Sequence, residues 1–391
     1  MVSAARRDNR RCHFPTRRLR VLTRSAKLLY NHAQPNTGIG EPMDFKSILA
    51  LAADGHEFSR QEAESAFDMI MSGDATPSQI GAFLMSLRMR GETVTEIAAA
   101  ATVMRAKALK VTAPSDAIDV VGTGGDRSGT LNISTASALT VAGCGVPVAK
   151  HGNRALSSKS GAADVLTALG VNIDADIRLL EKSIAEAKIG FMMAPRHHSA
   201  TRHVAGPRVE LAIRTVFNML GPLSNPAMVD RLMVGVFAPE WVEPVARVLA
   251  ELGAKKAWVV HGAGGLDELA TNGPAQVATL DAGKIETFEI TPADAGLETC
   301  EIADLRGGDA EFNARALTDL LAGKPGAYRD TVLFTSAAAL IVAGRADDLK
   351  EGAAIAAASI DDGKARAALD RMIEISHEVI IDPEEEEDDD E

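Results

Sequence analysis

The chain has 391 residues, 46% of them hydrophobic and 24% charged, and its mean hydropathy is +0.01. Two ordinary domains or one large one fit that length, and no apolar stretch approaches the roughly 20 residues that cross a bilayer. A net charge of −13 argues against nucleic-acid binding by the body of the protein.

Cys12, Cys144 and Cys300 are too scattered for a disulfide framework or a zinc site, and they point to a reducing cytoplasm. The charge is unevenly spread. Residues 1–42 hold nine Lys or Arg and two acids without a long apolar period, whereas Glu384–Glu391 is a run of eight acids. Two origins are open for the basic stretch: an organelle transit peptide, or a non-folding extension upstream of a start at Met43. The helical signal that begins directly after Met43 favours the extension. The acidic end, 383–391, reads as a disordered solvating tail.

Residues 44–110 predict four helices. Ser59-x-x-Glu62, Thr76-Pro77-x-Gln79 and Thr93-x-x-Glu96 have the form of capping boxes. Phe67, Ile70, Ile80, Phe83, Leu84 and Leu87 recur at the spacing of a buried helical face. From about residue 117, short β-branched runs alternate with helical stretches, the pattern of a mainly parallel sheet covered by helices. Strands are expected at 117–121, 146–149, 189–193 and 256–260, and helices near 134–143, 160–169, 176–187 and 240–252. A hairpin is expected at 276–281 and 285–290 around Ala282-Gly283-Lys284, with helices over most of 310–376. The expected division is a basic extension (1–42), a small helical domain (43–112) joined by helices near 200–220, a large α/β domain (113–382) and the acidic tail.

The chemistry concentrates just past the first two strands. Strand 117–121 runs into Gly122-Thr123-Gly124-Gly125-Asp126, then Thr130 and Asn132-Ile133-Ser134-Thr135. Strand 146–149 runs into Lys150-His151-Gly152-Asn153-Arg154, closed by Ser157-Ser158-Lys159-Ser160-Gly161. Glycines let the backbone approach a ligand closely, and amides in such loops or at a helix start point N–H groups at an anion. Thr130, Asn132, Ser134 and Thr135 add neutral donors, while Lys150, Arg154 and Lys159 add positive charge. Asp126 would repel a phosphate, so it is read as accepting from sugar hydroxyls or acting through a metal. One glycine cluster alone is no more than a tight turn; two together describe a pocket for a phosphorylated sugar. The dinucleotide fingerprint fails because Arg127 stands in place of its third glycine, and no Gly-x-x-x-x-Gly-Lys-Ser/Thr occurs.

Strand 256–260 ends in His261-Gly262-Ala263-Gly264-Gly265-Leu266-Asp267-Glu268. Adjacent carboxylates after a glycine-rich turn suit magnesium, which takes few protein oxygens and completes its shell with substrate phosphates. An acidic helix start is the plainer alternative. His197, His198 and His203 match no zinc spacing and read as ordinary loop or pocket residues. The planar fork of Arg208 suits a substrate carboxylate; a salt bridge with Glu210 is the structural alternative, and it suits Arg214 at least as well.

Together with Phe217-Asn218-x-Leu220-Gly221-Pro222-Leu223-x-Asn225-Pro226, these motifs stand in the order of the anthranilate phosphoribosyltransferase family, which the chain resembles over roughly 43–376. The resemblance implies a nucleoside phosphorylase/phosphoribosyltransferase-like fold, with a small all-helical domain carrying a homodimer contact. The large α/β domain would bind 5-phosphoribosyl 1-pyrophosphate (PRPP) and magnesium, two ions per monomer. The resemblance assigns PRPP to Gly122, Gly125, Asp126, Thr130, Asn132, Ile133, Ser134, Thr135, Lys150, His151, Gly152, Asn153, Arg154, Ala155, Leu156, Ser157, Ser158 and Ala162. It assigns metal to Ser134, Asp267 and Glu268, and anthranilate to Gly122, Asn153 and Arg208. The implied reaction joins the anthranilate amine to C1 of the ribose and expels pyrophosphate, a step of tryptophan biosynthesis that needs no covalent protein nucleophile.

Three departures stand out. Ala162 replaces a frequent Ser, so a donor contact there comes only from the backbone; Gly264 replaces a common acid; and 1–42 has no counterpart. Two rival readings are pyrimidine nucleoside phosphorylase and a nucleic-acid-binding relative. The first shares the architecture but lacks Lys-His-Gly-Asn-Arg in its second loop. The second gains support from the basic stretch and loses it to the acidic body and the intact Asp267-Glu268 pair.

Overall fold

In the computed structural model, which describes residues 43–126, 128–155 and 159–380, the three predicted boxes close. The hydroxyls of Ser59, Thr76 and Thr93 each accept from the amide three residues on, and Glu62, Gln79 and Glu96 accept from the cap amides in return. Such caps contribute about 1 kcal/mol each. They open α2 (Arg60–Ser72), α3 (Pro77–Arg90) and α4 (Val94–Ala106), which follow α1 (Phe45–Ala53). Their shared core includes the Phe45 and Phe67 rings, both edge-on to Phe83 at 5.9 and 5.6 Å. The expectations for 1–42, for 383–391 and for Leu156, Ser157 and Ser158 lie outside the described residues.

The described residues build one seven-stranded sheet in the order β3-β2-β1-β4-β5-β6-β7. Its strands are β1 (Ile118–Gly122), β2 (Val148–Gly152), β3 (Ile189–Met193), β4 (Arg231–Gly235), β5 (Lys256–His261), β6 (Ala275–Asp281) and β7 (Lys284–Ile290). The first five in chain order run parallel, and β6 and β7 are antiparallel. β4 has no counterpart among the expected strands. Its apolar run is only Leu232-Met233-Val234, and pairing with β1 on one side and β5 on the other makes it the central strand. The hairpin turn is one residue shorter than expected: Ala282 and Gly283 both take positive φ (47° and 85°), while Lys284 already pairs with Asp281. Two positive-φ residues suit the twist of a two-residue hairpin.

The helices of the α/β part are α5 (Ile133–Gly143), α6 (Ala162–Ala168), α7 (Ile177–Glu186), α8 (Ala194–His197), α9 (Arg202–Leu211), α10 (Phe217–Leu223) and α11 (Val242–Glu251). After the hairpin come α12 (Ala310–Leu321), α13 (Ala327–Val342), α14 (Leu349–Asp361) and α15 (Lys364–Ser376). Successive strand side chains point to opposite faces, and each face has its own core. Ile118, Val120 and Val148 pack with Leu139, Phe334 and Leu369 on one side. Ala149, Leu232 and Val234 pack with Leu220, Leu249 and Phe67 on the other, so the second core runs without a break into the four-helix part. α9 packs against α2 and α3.

Arg105, buried in the last turn of α4, fastens the two parts. It donates to the Leu223 carbonyl at the end of α10 (2.7 Å) and to the Leu252 carbonyl after α11 (3.2 Å). Helix C-termini carry partial negative charge, so a cation there is stabilised without a carboxylate. The result is a small helical bundle on a mostly parallel α/β sheet, the expected class. Among the described residues no helix is long and apolar enough to cross a membrane.

Candidate functional site

Ligands of parallel sheets sit beyond the carboxyl ends of the strands, and here three adjacent ends are glycine. Gly122 closes β1 in register with Gly235 at the end of β4, and Gly262 follows β5. A Cβ at Gly122 would stand 2.5 Å from the Asp267 carboxylate, one at Gly235 1.6 Å from the Asp267 carbonyl, and one at Gly262 2.2 Å from the Glu268 carbonyl. The missing side chains are the space through which 266–268 crosses the sheet. The glycine loop is tied to that crossing: Thr123 N–H donates to Gly235 O (2.9 Å) and Gly124 N–H to Asp267 Oδ2 (2.5 Å). Gly264, one of the sequence departures, takes φ 73° in the turn leading to it.

Asp126, Asp267 and Glu268 face one another across this crossing. Burial first, and the charge of Asp126 second, push Asp267 up to about 7. Burial and then Asp267 push Glu268 well above the usual carboxylate range, against the pull of Lys150 and the Ser134 hydroxyl. Glu268 Oε2 is buried and has no hydrogen-bond partner. Crowded carboxylates with an unsatisfied oxygen are what a divalent cation relieves, so the donor set fits magnesium. Among the described residues no group of three or more His, Cys, Asp or Glu is placed to hold a metal ion by itself.

Lys150 lies beneath the cluster, 2% exposed, with Nζ donating to Val120 O at 2.7 Å. Burial lowers its pKa while Asp119 and Glu268 raise it. Asp119 is held by Asn225 Nδ2 (2.7 Å) and the His151 amide (3.2 Å), and burial lifts it to about 6. The ammonium of Lys150 is thus turned into the acidic cluster. His151, the next residue on β2, turns the other way. Its Nδ1 meets Gly221 O at 3.0 Å, its ring packs edge-on to His198 at 5.1 Å, and its Nε2 is buried without a partner. Burial depresses the two histidines to about 3 and about 4. Both are neutral at neutral pH.

The start of α5 is left open. Asn132, at its N-cap position, makes no cap bond to the helix. Its Oδ1 instead accepts from Asn313 (2.8 Å), and its carbonyl from the Tyr328 hydroxyl (3.1 Å). The Ile133 amide donates to Leu131 O (2.9 Å), which leaves the amides of Ser134 and Thr135 to face an anion, and the Thr135 hydroxyl is buried without a partner. Thr130 pairs with Arg306 in an isolated bridge. The second loop is organised by Asp164, which accepts from the amides of Ala155 and Gly161 (2.9 Å each) and pairs with Arg154 at 3.2 Å. Asn153 is exposed beside it, Gly152 lies under the Phe191 ring, and Ala162 opens α6.

Arg208 is half-buried, 5.7 Å above the Phe217 ring, and burial alone lowers its pKa. The alternative salt bridge to Glu210 is made by neither arginine among the described residues. Arg214 instead stacks on Phe237 at 4.1 Å and donates to the Gly125 carbonyl. Of the other histidines, His197 is bonded to Leu109 O (2.9 Å) and His203 covers Gly73, in keeping with ordinary structural roles. Sequence reasoning did not single out Tyr328 or Asn313, and it read Arg214 only as a salt-bridge partner for Glu210. It also passed over Asp119 as a buried charge, although an acid inside a β-branched run is a visible signal.

Residues 46–108 match the family described as glycosyl transferase family, helical bundle domain, and residues 114–366 its a/b domain. The anthranilate phosphoribosyltransferase of Paramagnetospirillum magneticum is 60% identical over 332 residues, covering 85% of this chain and 96% of that protein. Among solved structures, the Thermus thermophilus anthranilate phosphoribosyltransferase matches with TM-score 0.81 at 40% identity, over 86% of this chain and 100% of that one. The Saccharomyces cerevisiae enzyme in complex with PRPP and Mg matches with TM-score 0.78 at 28% identity, over 85% and 97%. A structure of the same yeast enzyme with 4-fluoroanthranilate has TM-score 0.77 at 27% identity, over 86% and 99%.

Proposed function

We propose that this chain, which belongs to the anthranilate phosphoribosyltransferase family, transfers the phosphoribosyl group of PRPP to the amine of anthranilate and releases pyrophosphate, a step of tryptophan biosynthesis. One juxtaposition carries the reading. A buried carboxylate cluster that needs a cation lies beside an uncapped helix start that needs an anion.

Asp267, Glu268 and Ser134 would hold magnesium, two ions per monomer, whose charge helps neutralise the leaving pyrophosphate when bound. The amides and hydroxyls around Asn132–Thr135 and Thr130 take phosphate oxygens, with Gly122, Gly125 and the second loop from Gly152 to Ala155 and Ala162 closing around the donor. Asp126 accepts from ribose hydroxyls or from metal-bound water. Lys150 acts on the donor through the acids whose charge it balances. The fork of Arg208, with no carboxylate partner among the described residues, takes the anthranilate carboxylate next to Gly122 and Asn153, which turns the amine toward C1. The amine is already a nucleophile, and the sugar is cation-like as the bond breaks. Positioning and electrostatics therefore supply the rate.

The division into 43–112 and 113–382, a homodimer and a cytoplasmic setting belong to the same proposal. Met89 on α3 and Val209 on α9 are 82% and 79% exposed on helices that pack together, an apolar feature that a second copy would cover. The test is an assay of the purified chain with PRPP, anthranilate and magnesium. Anthranilate should disappear one for one with pyrophosphate release, and chelation should stop the reaction. Phosphorolysis of pyrimidine nucleosides with no turnover of anthranilate would overturn the assignment.

A further inference from the structure

The loop that carries Asp126 is held at few points; Asp126 itself accepts from the Ser128 amide at 3.0 Å. Gly124 and Gly125 both take left-handed φ (69° and 75°), and neither has a side chain to pack. A Cβ on Gly124 would meet nothing within 4 Å, and one on Gly125 would meet only the Arg214 guanidinium, at 3.7 and 3.8 Å. The inner ties, Thr123 to Gly235 and Gly124 to Asp267, fix the near end of the loop against the sheet. At the far end, one residue before Asp126, the Gly125 carbonyl accepts from Arg214. Arg214 itself sits over the Phe237 ring, its guanidinium carbon 4.1 Å from the ring centre, two residues beyond the end of β4, and it has no carboxylate partner among the described residues. A planar guanidinium stacked on an aromatic face keeps its donors in a fixed direction.

We propose that Arg214 is a positioning residue for the phosphoribosyl donor: it anchors the Gly125 carbonyl so that Asp126 stays turned toward Asp267 and Glu268. The proposal rests on the phosphoribosyl-transfer reading of this site. Arg214 follows α9 directly, after the left-handed Ala212 (φ 52°). The segment that presents Arg208 to the acceptor thus also clamps the loop that meets the donor.

Two measurements separate this role from a merely structural one. In steady-state kinetics, Arg214→Ala should raise the PRPP KM and the magnesium needed for half-maximal rate by about tenfold, the size of one charged hydrogen bond. The anthranilate KM should move less than about twofold. Arg214→Lys keeps the charge and loses the stacked plane, so it should fall between, and it serves as the working variant if the alanine form does not fold. Combined with Asp126→Asn, the Arg214 substitution should add less than it does alone, because both act through one loop. Equal effects on the two substrates, or effects that simply multiply with Asp126→Asn, would overturn the proposal. Hydrogen exchange of the amides of 122–126 in the substrate-free protein should speed up in Arg214→Ala. Unchanged exchange overturns the anchor even if the wild type is active. Faster exchange in a protein inert toward anthranilate refutes the transferase reading and leaves the anchor standing.

Discussion

Lys150 and His151 are neighbours on β2, and the two faces of the sheet treat them in opposite ways. On the Lys150 side, Asp267 and Glu268 meet Asp126, and their pKa values rise because burial and neighbouring carboxylates make their charge costly. On the His151 face, two imidazoles are driven neutral and packed ring to ring. The first arrangement is left with negative charge that a cation relieves; the second carries no charge, although His151 Nε2 is buried without a partner. Polar burial that waits for a ligand can thus be told from polar burial that merely shapes a wall, by asking which face is left with charge to spare.

The largest expected effect tests the charged face. Replacing the pair, Asp267→Asn with Glu268→Gln, should lower turnover at limiting magnesium by about a hundredfold or more, since charged ligand oxygens are worth several kcal/mol together. The same change should leave the magnesium-free protein melting no lower than the wild type, because it removes like-charge repulsion. Wild-type-like rates at limiting magnesium, or a lower melting temperature without it, would break the contrast between the faces.

Next in size is Arg208→Ala. A charge-assisted hydrogen bond of about 1.5–3 kcal/mol corresponds to a ten- to hundredfold rise in the anthranilate KM, with the PRPP KM nearly constant. Varying each substrate separately checks it, and an equal effect on both would make Arg208 structural.

The pH dependence of stability without magnesium should show both faces at once. His151 and His198 fold with pKa values of about 3 and about 4, below the ordinary value of about 6.5. Their stabilisation is therefore present above that value and is lost as pH falls. Asp119 and Asp267 fold with raised values of about 6 and about 7, so their contribution is present in acid and is lost as pH rises through those values. Each group bends the curve by at most about 1.4 kcal/mol per pH unit. His198→Phe should flatten the acid limb of melting temperature against pH and leave the neutral side unchanged; an unaltered acid limb would mean the histidines do not titrate on unfolding as argued.

The smallest effect is expected from a chain beginning at Met43. α1 is capped from within by Asp44, whose carboxylate accepts from the Ser47 amide at 2.9 Å. Kinetic constants and magnesium requirement should be nearly those of the full chain. A raised magnesium requirement would mean that the arginines of 1–42 supply counter-charge to the acidic face.

What could be read in the sequence was what is decided locally. Capping boxes act over three residues, and Ser59, Thr76 and Thr93 begin helices where expected. Two glycine clusters after neighbouring strands, with hydroxyl and basic side chains beside them, announce a phosphate pocket from short stretches of chain. What escaped depends on partners far along the chain: β4 becomes a strand through two neighbours, Arg214 meets Gly125 across 89 positions, and Asn225 meets Asp119 across 106. The opposite destinies of Lys150 and His151 were hidden by a boundary. With the strand taken to end at 149 they read as one loop motif, but β2 continues to Gly152, and strand alternation then forces them apart.

Gly235 shows how unevenly such a protein can change. It carries no charge, moves no proton and is remote in sequence from every acid of the cluster, yet a single methyl there would fall 1.6 Å from the Asp267 backbone. Alanine, the mildest of replacements, is barred as firmly as tryptophan. In a saturation library, position 208 should yield a graded series of acceptor preferences, and position 235 a blank column. Descent with modification can therefore explore new acceptors along α9, while the donor half of the site stays fixed by a residue whose side-chain contribution is only to be small.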